Sequence, residues 1–302
     1  MDALVLDGVC KSFGSVQAVR DLSVRVPAGC IHGFLGPNGA GKTTTLRMIM
    51  NILQPDAGRI ERLGDGEAGV LDRIGYLPEE RGLYRKMTVA RTLHYLGSLK
   101  GVRSEELRRR VPEWLERLGL EAWAGRKVEN LSRGMQQKLQ FAISVIHDPE
   151  LMILDEPFSG LDPVNQDLIE QIILDMRQRG RTVLFSTHMM HQAQRLCDRL
   201  LLINRGRVVA AGGLAELQGR WPSNAVLLRL EGDGQFLGQL PQVVEARESG
   251  GQWDITLAAE ADAQQLLRAV VERASVLSFE VKRPSLHEIF IRLVGGEHEA
   301  TD

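Results

Sequence analysis

The stretch FLGPNGAGKTTT, residues 34–45, decides how the rest of this chain is read. Residues 36–43 have the spacing G-x-x-x-x-G-K-[ST] of a phosphate loop. Glycines let the backbone turn so that successive N–H groups point inward as an anion nest. Lys42 carries a mobile cation to the outer phosphates, and Thr43 offers a hydroxyl to Mg²⁺. A helix beginning near Lys42 aims the positive end of its dipole at the same anion. The apolar run 31–35 and the helical pattern 44–53 supply the strand–loop–helix setting that distinguishes a phosphate loop from an accidental glycine-rich turn. Gly36, Asn38, Gly39, Ala40, Gly41, Lys42, Thr43 and Thr44 are therefore the candidate nucleotide contacts.

Downstream, residues 151–154 (LMIL) form an apolar strand that ends in Asp155-Glu156-Pro157. Buried parallel strands read as continuous apolar runs, and functional groups collect at their carboxyl ends. Asp155 is expected to hold Mg²⁺, directly or through water. Glu156, one residue on, is expected on the other side of the chain, where it could polarise an attacking water. Residues 182–186 (TVLFS) are another apolar strand, followed by Thr187-His188. His188 then sits on the same sheet edge and can sense a γ-phosphate through a hydrogen bond. Upstream, residues 3–9 and 22–26 read as strands. Between them, Phe13 is followed by glycine and could stack on an adenine base, a contact worth ~1–3 kcal/mol where measured. Away from such a loop, core packing would be the simpler role for a lone Phe.

Composition narrows the choices. The chain has 302 residues, 43% hydrophobic and 25% charged, as in ordinary soluble globular proteins. A formal net charge of −2 gives no sign of a nucleic-acid surface. Cys10, Cys30 and Cys197 are far apart, which suits reduced thiols rather than a disulfide framework. The first residues show no signal-peptide pattern, and no apolar run approaches the ~20 residues needed to span a bilayer. A membrane role would have to come through a partner.

The remaining pattern sorts into blocks. Turns are expected at 55–58 and 64–69, and a short strand at 73–78. Helical periodicity fills 88–148, with helices at 89–99, 104–118 and 135–146, Ser104 as an N-cap and Gly119 as a C-cap. An amphipathic helix covers 163–179. Residues 193–197 look helical, and 200–204 with 207–211 form a hairpin turning at Asn204-Arg205-Gly206. After a turn-rich stretch at 218–224 the pattern restarts as β-α-β-β-α-β plus a final helix, a small α+β unit in which Trp253 and Phe279 are core.

Taken together, these residues resemble the ATP-binding-cassette (ABC) transporter ATPases. Besides the two phosphate-site motifs, Leu131-Ser132-Arg133-Gly134-Met135-Gln136-Gln137 is similar to that family's signature, usually LSGGQ. Ser159-Gly160-Leu161-Asp162 is similar to its D-loop, and His188 to its switch histidine. The motifs keep the family's order over roughly residues 3–215. Arg133 and Met135 depart from the signature, and Glu79 stands where a glutamine is usual. With GYLPEERGLY, these departures resemble a branch of sodium-exporter and drug-resistance ATPases that pair with separately encoded ABC-2 type permeases. The tail SLHEIFIRLV resembles that branch's accessory C-terminal domain.

The resemblance implies an α/β fold. A phosphate-loop NTPase core would carry an antiparallel β subdomain and an inserted helical subdomain at about 86–148, all within 1–218, with a small α+β domain over 219–302. It implies an ATPase with ATP and Mg²⁺ as cofactors, in which two ATPase chains, identical or related, meet head to tail. Ser132 and Gly134 would reach the ATP held by the opposite chain, and Asp162 would belong to the D-loop. Glu79 would couple the core to the permease, and stands with Thr43 and Asp155 as a metal candidate. Such a chain would sit on the cytoplasmic face of the membrane and bind no nucleic acid, its cargo (an ion, drug, lipid or peptide) chosen by the permease. A ribosome-associated relative would carry two cassettes and a DNA-repair relative a long heptad insertion. A module without turnover would lack Glu156.

Overall fold

The computed structural model describes residues 1–64, 69–80, 82–221, 224–258 and 261–295. The chain divides into two compact units, Met1–Leu214 and Ala215–Asp302.

The first unit is built on a six-stranded sheet. Its strands are β3 (Ile31–Leu35), β5 (Ile74–Leu77), β6 (Leu151–Asp155), β7 (Thr182–Thr187), β8 (Arg199–Asn204) and β9 (Arg207–Gly212). Their spatial order is β5-β6-β7-β3-β8-β9, parallel except for β9. Every residue of β3, β6 and β7 is buried, which is why these strands are continuous apolar runs rather than alternating ones. Burying each Leu, Ile or Phe side chain contributes roughly 1.5–3 kcal/mol. Register aligns the strand ends: Leu77 pairs with Leu154, Asp155 with Ser186, and Leu35 with Thr187. The residues after β3, β5, β6 and β7 therefore emerge side by side at one edge.

A second, antiparallel sheet has the order β2-β1-β4, from β1 (Asp2–Phe13), β2 (Val16–Pro27) and β4 (Ala57–Arg62). Here β1 and β2 are longer than their apolar cores at 3–9 and 22–26 suggest. Phe13 pairs with Val16, so the residues between those two runs are largely the paired end of one long hairpin. The expected turn at 55–58 runs directly into β4, where Ile60 is the one buried side chain, so alternation is too weak to mark a strand. Of the expected turn at 64–69, residues 65–68 lie outside the described residues.

Helices cover the core: α1 (Lys42–Ile49), α2 (Val89–Leu99), α3 (Ser104–Arg117), α4 (Arg133–Val145), α5 (Pro163–Gln178) and α6 (Met190–Leu196). Thr88 caps α2, and Gly119 follows α3 in the left-handed region. Ser104 is not the N-cap of α3 but its first helical residue. Arg103 holds the cap position without a side-chain bond, and Glu105 and Glu106 favour the start by complementing the helix dipole. The α2–α4 block lies between β5 and β6 in sequence, as an insertion into the α/β unit.

Helix α7 (Leu214–Arg220) runs across the division between the units. Beyond it, β10 (Ala225–Glu231), β11 (Val243–Ser249), β12 (Gln252–Leu257) and β13 (Ser275–Val281) form an antiparallel sheet of order β11-β12-β10-β13. The expected helix near residues 235–240 is a short 3-10 turn. Helix α8 (Ala263–Val271) buries Leu266 and Val270 against Val226, Leu228, Ile255 and Leu257, with Trp253 and Phe279 packed at the edge of that cluster. Helix α9 (Leu286–Gly295) closes the described chain. This is the α+β unit expected from the restarted pattern.

Candidate nucleotide site

Strand β3 delivers the chain to the loop, and α1 begins at Lys42. Gly41 caps this helix with φ 103°, and a Cβ there would meet the Ala18 carbonyl at 2.4 Å. The position therefore needs glycine twice over, for its backbone and for its neighbour. The loop is also supported from behind. Gly206, in the β8–β9 turn, donates its N–H to the Ala40 carbonyl (2.9 Å) and accepts from the Arg20 amide (2.8 Å).

A cleft of about 410 Å³ lies over the loop, lined by Phe13, Ala18, Asn38, Gly39, Gly41, Lys42, Thr43, Thr44, Glu79, Asp155 and Glu156. Phe13 is not core: the residue is 49% exposed at the hairpin tip, with Lys11 Nζ 5.8 Å from the ring centroid. Lys42 is buried, and its Nζ donates to the carbonyls of Gly36 (2.7 Å) and Pro37 (3.1 Å). Burial holds its pKa below the usual lysine range, while Glu156, Asp155 and Glu79 pull the other way. One cation thus faces three carboxylates across the cleft. An incoming polyphosphate would find Lys42, the loop amides and the start of α1 on its own side.

Asp155 is fully buried at the end of β6. Its Oδ1 accepts from Ser186 Oγ, and its Oδ2 has no partner among the described residues. A buried carboxylate oxygen left open in a cleft that Thr43 also lines fits a Mg²⁺ ion that keeps most of its other ligands from phosphate and water. Among the described residues no three His, Cys, Asp or Glu side chains gather into a separate metal site.

Glu156 corrects one expectation. Strand alternation would turn it away from Asp155, yet both line the cleft. The reason is its backbone: φ is 49°, a left-handed conformation uncommon for a residue with a side chain, and it breaks the alternation. The Glu156 carboxylate accepts from the His188 amide (3.1 Å) and Thr187 Oγ1 (3.3 Å), and Oε1 lies 2.9 Å from His188 Nδ1. Glu79 is exposed, and its loop is held by Gln140, whose Nε2 donates to the carbonyls of Pro78 and Glu80 (3.1 Å each).

Several expected site residues do not line this cleft. Gly36 lies beneath the loop, where a Cβ would meet the Ile203 carbonyl at 2.3 Å, and the Ala40 side chain belongs to the hydrophobic core. His188 reaches the site only through Glu156. Ser132 caps α4, its Oγ accepting from the Met135 amide (3.3 Å), and it is exposed. Gly134 lies near the D-loop, where a Cβ would sit 3.5 Å from the Gly160 carbonyl. Asp162 caps α5 through the Asn165 amide (3.0 Å). Sequence reasoning missed Ala18, Gln140, Ser186 and Thr187. All four act through contacts between strands or helices far apart in the chain, and none stands in a motif.

Comparison with known proteins agrees with this geometry. Over 297 residues, 98% of this chain and the whole of the other, it is 39% identical to the ABC transporter ATP-binding protein YhaQ of Bacillus subtilis (strain 168). This chain belongs to the ABC transporter ATP-binding proteins. Residues 19–159 match the ABC transporter family, and residues 212–294 match the C-terminal domain of ATP-binding proteins described as DrrA1-3-like. The Nod factor export ATP-binding protein I of Rhizobium sp. (strain N33) is 37% identical over 303 residues, covering 98% of each chain. A solved ATP-binding subunit of an ABC transporter superposes on 72% of this chain and 93% of its own, with TM-score 0.68 and 30% identity. As an ABC ATPase with a P-loop core and a separate C-terminal α+β domain, the chain is an ATP-binding and ATP-hydrolysing transporter subunit related to exporter-type ATPases. Among the described residues no helix is long and apolar enough to cross a membrane.

Proposed function

We propose that this ABC ATPase powers export through a separately encoded ABC-2 type permease, on the cytoplasmic face of the membrane, and that its active sites are completed between two chains. The observation that carries this is the position of the signature. Ser132 and Gly134 start α4 outside the cleft that Lys42, Thr43, Asp155 and Glu156 share, so one chain offers only one wall around a bound ATP. A second copy, or a related subunit, would bring its own α4 to the γ-phosphate. That anion between two helix N-termini gives the pair a reason to close, and its loss a reason to open.

The residues take the following roles. The loop amides and Lys42 bind the phosphates, and Phe13 stacks on the base. Mg²⁺, held by Thr43 and Asp155, would offset charge on the phosphate oxygens. Glu156 orients and polarises the attacking water, and His188 holds Glu156 and senses the γ-phosphate. Asp162 faces the partner chain. Glu79, carried on the loop that Gln140 anchors, transmits the change to the helical block and the permease, with a second candidate role at the metal. We assign the ATPase to residues 1–218, with its helical subdomain at about 86–148, and an accessory role to residues 219–302. The Nod factor export relatives support the export direction.

Light scattering on a Glu156→Gln chain tests the paired site. We expect a dimer with ATP and a monomer with ADP. A monomer in both conditions would overturn the two-chain reading. Inverted vesicles carrying this ATPase with a permease encoded beside it should accumulate cargo only with ATP.

A further inference from the structure

We propose, resting on the assignment of Asp155 to the metal, that Ser186 is a positioning residue that fixes the Asp155 carboxylate so that Oδ2 alone is presented to Mg²⁺. Asp155 and Ser186 are register partners on the parallel strands β6 and β7, and both are fully buried. The Ser186 hydroxyl donates to Asp155 Oδ1. Ser186 Oγ in turn accepts from the Glu156 amide at 3.3 Å, and the Ser186 carbonyl accepts from that amide at 3.1 Å.

A hydroxyl has one proton to give. With the Glu156 N–H on one lone-pair side, the Ser186 proton is directed to Asp155 and nowhere else. The last torsion of an aspartate is broad and roughly two-fold. Left alone, the carboxylate would exchange its two oxygens and sample a range of angles. Ser186 ties one oxygen and leaves the other, which is buried and has no partner among the described residues. A carboxylate bonded on one oxygen and open on the other is arranged for a single metal bond, with Ser186 as its outer-shell support. Because the same hydroxyl also holds the amide of Glu156, it sets the metal ligand and the left-handed turn at the water-polarising residue together.

Metal-dependent nucleotide affinity provides the test. ATP binding to the full chain is measured in EDTA and in saturating Mg²⁺, and the ratio is the gain due to metal. Ser186→Ala is expected to leave affinity in EDTA within about twofold and to cut the gain by about tenfold, the low end for loss of an outer-shell partner. Ser186→Thr keeps the hydroxyl and should restore most of the gain. An unchanged gain in Ser186→Ala, or equal losses with and without metal, would overturn the proposal. Asp155→Asn is run alongside. If it abolishes the gain while Ser186→Ala does not, only the role of Ser186 fails. If it too leaves the gain intact, the metal assignment fails and the role of Ser186 with it.

Discussion

Helices α1 and α4 both begin with amides that have no intrahelical partner, and their surroundings differ. At α1, glycine caps the helix without a side chain, and Lys42, Asp155, Glu156 and Glu79 enclose the space ahead of it. At α4, Ser132 caps the helix with its own hydroxyl, and the cap is exposed beside Arg133. A helix N-terminus carries about half a positive charge and several amides without intrahelical partners. At α1 that offer shares a cleft with the Lys42 cation, the Asp155 carboxylate and the Phe13 ring, the set proposed to bind nucleotide within one chain. At α4 no such groups from the same cleft accompany it, and in the proposed function its ligand comes with another chain. On the proposed function, binding belongs to one chain and turnover to two.

That separation can be broken at either helix. The largest effect is expected at Glu156. Glu156→Gln should lower ATP turnover by about 10³-fold, the middle of the range for losing a general base, with ATP affinity retained. Turnover at the parent rate in a phosphate-release assay would remove Glu156 from the chemistry. Lys42→Ala should weaken ATP binding by about 100-fold, since it deletes a charged hydrogen-bond donor to phosphate. Calorimetry showing unchanged affinity would mean that α1 is not the phosphate-binding end, and the contrast with α4 would collapse. Phe13→Ala should weaken ATP about tenfold through lost stacking, and pyrophosphate binding should not change. Equal losses for both ligands would point to a structural effect at the hairpin tip. The smallest effect is predicted at α4. Ser132→Ala should reduce turnover about fivefold, as for one neutral hydrogen bond, and leave ATP affinity of the single chain untouched. If it weakens single-chain binding, α4 reaches the chain's own nucleotide and the two helix ends are not divided between chains.

Much of the site is written in short spans of sequence. The loop, the strand that feeds it and the helix that leaves it are consecutive, so residues 36–44 could be read from spacing alone. Asp155 and Glu156 were legible because a run of buried apolar residues stops at them. The hairpin length was harder. Residues 10–13 and 16–21 alternate poorly, because Val19 is the one buried side chain among them and the rest are held by pairing across β1 and β2. Ser186 left no trace as a functional residue. In sequence it is the end of an apolar strand; it matters because β7 lies next to β6, in a register that sets it opposite Asp155.

The sequence by itself determined that this chain binds a nucleoside triphosphate, that two acids follow a buried strand, and that a second small α+β unit follows the first. Local spacing and apolar periodicity suffice for these, because each depends on residues that are neighbours in the chain. The tertiary structure decided which groups share one cleft. Sheet order β5-β6-β7-β3 carries Glu79, Asp155 and the loop to a single edge, although the loop and Asp155 are more than a hundred residues apart in the chain. A left-handed backbone at Glu156 turns two successive acids the same way. The same packing leaves Ser132 and Gly134 outside. These outcomes are set by hydrogen bonds between strands and by the backbone angle at a single residue, and neither has a signature in composition or spacing.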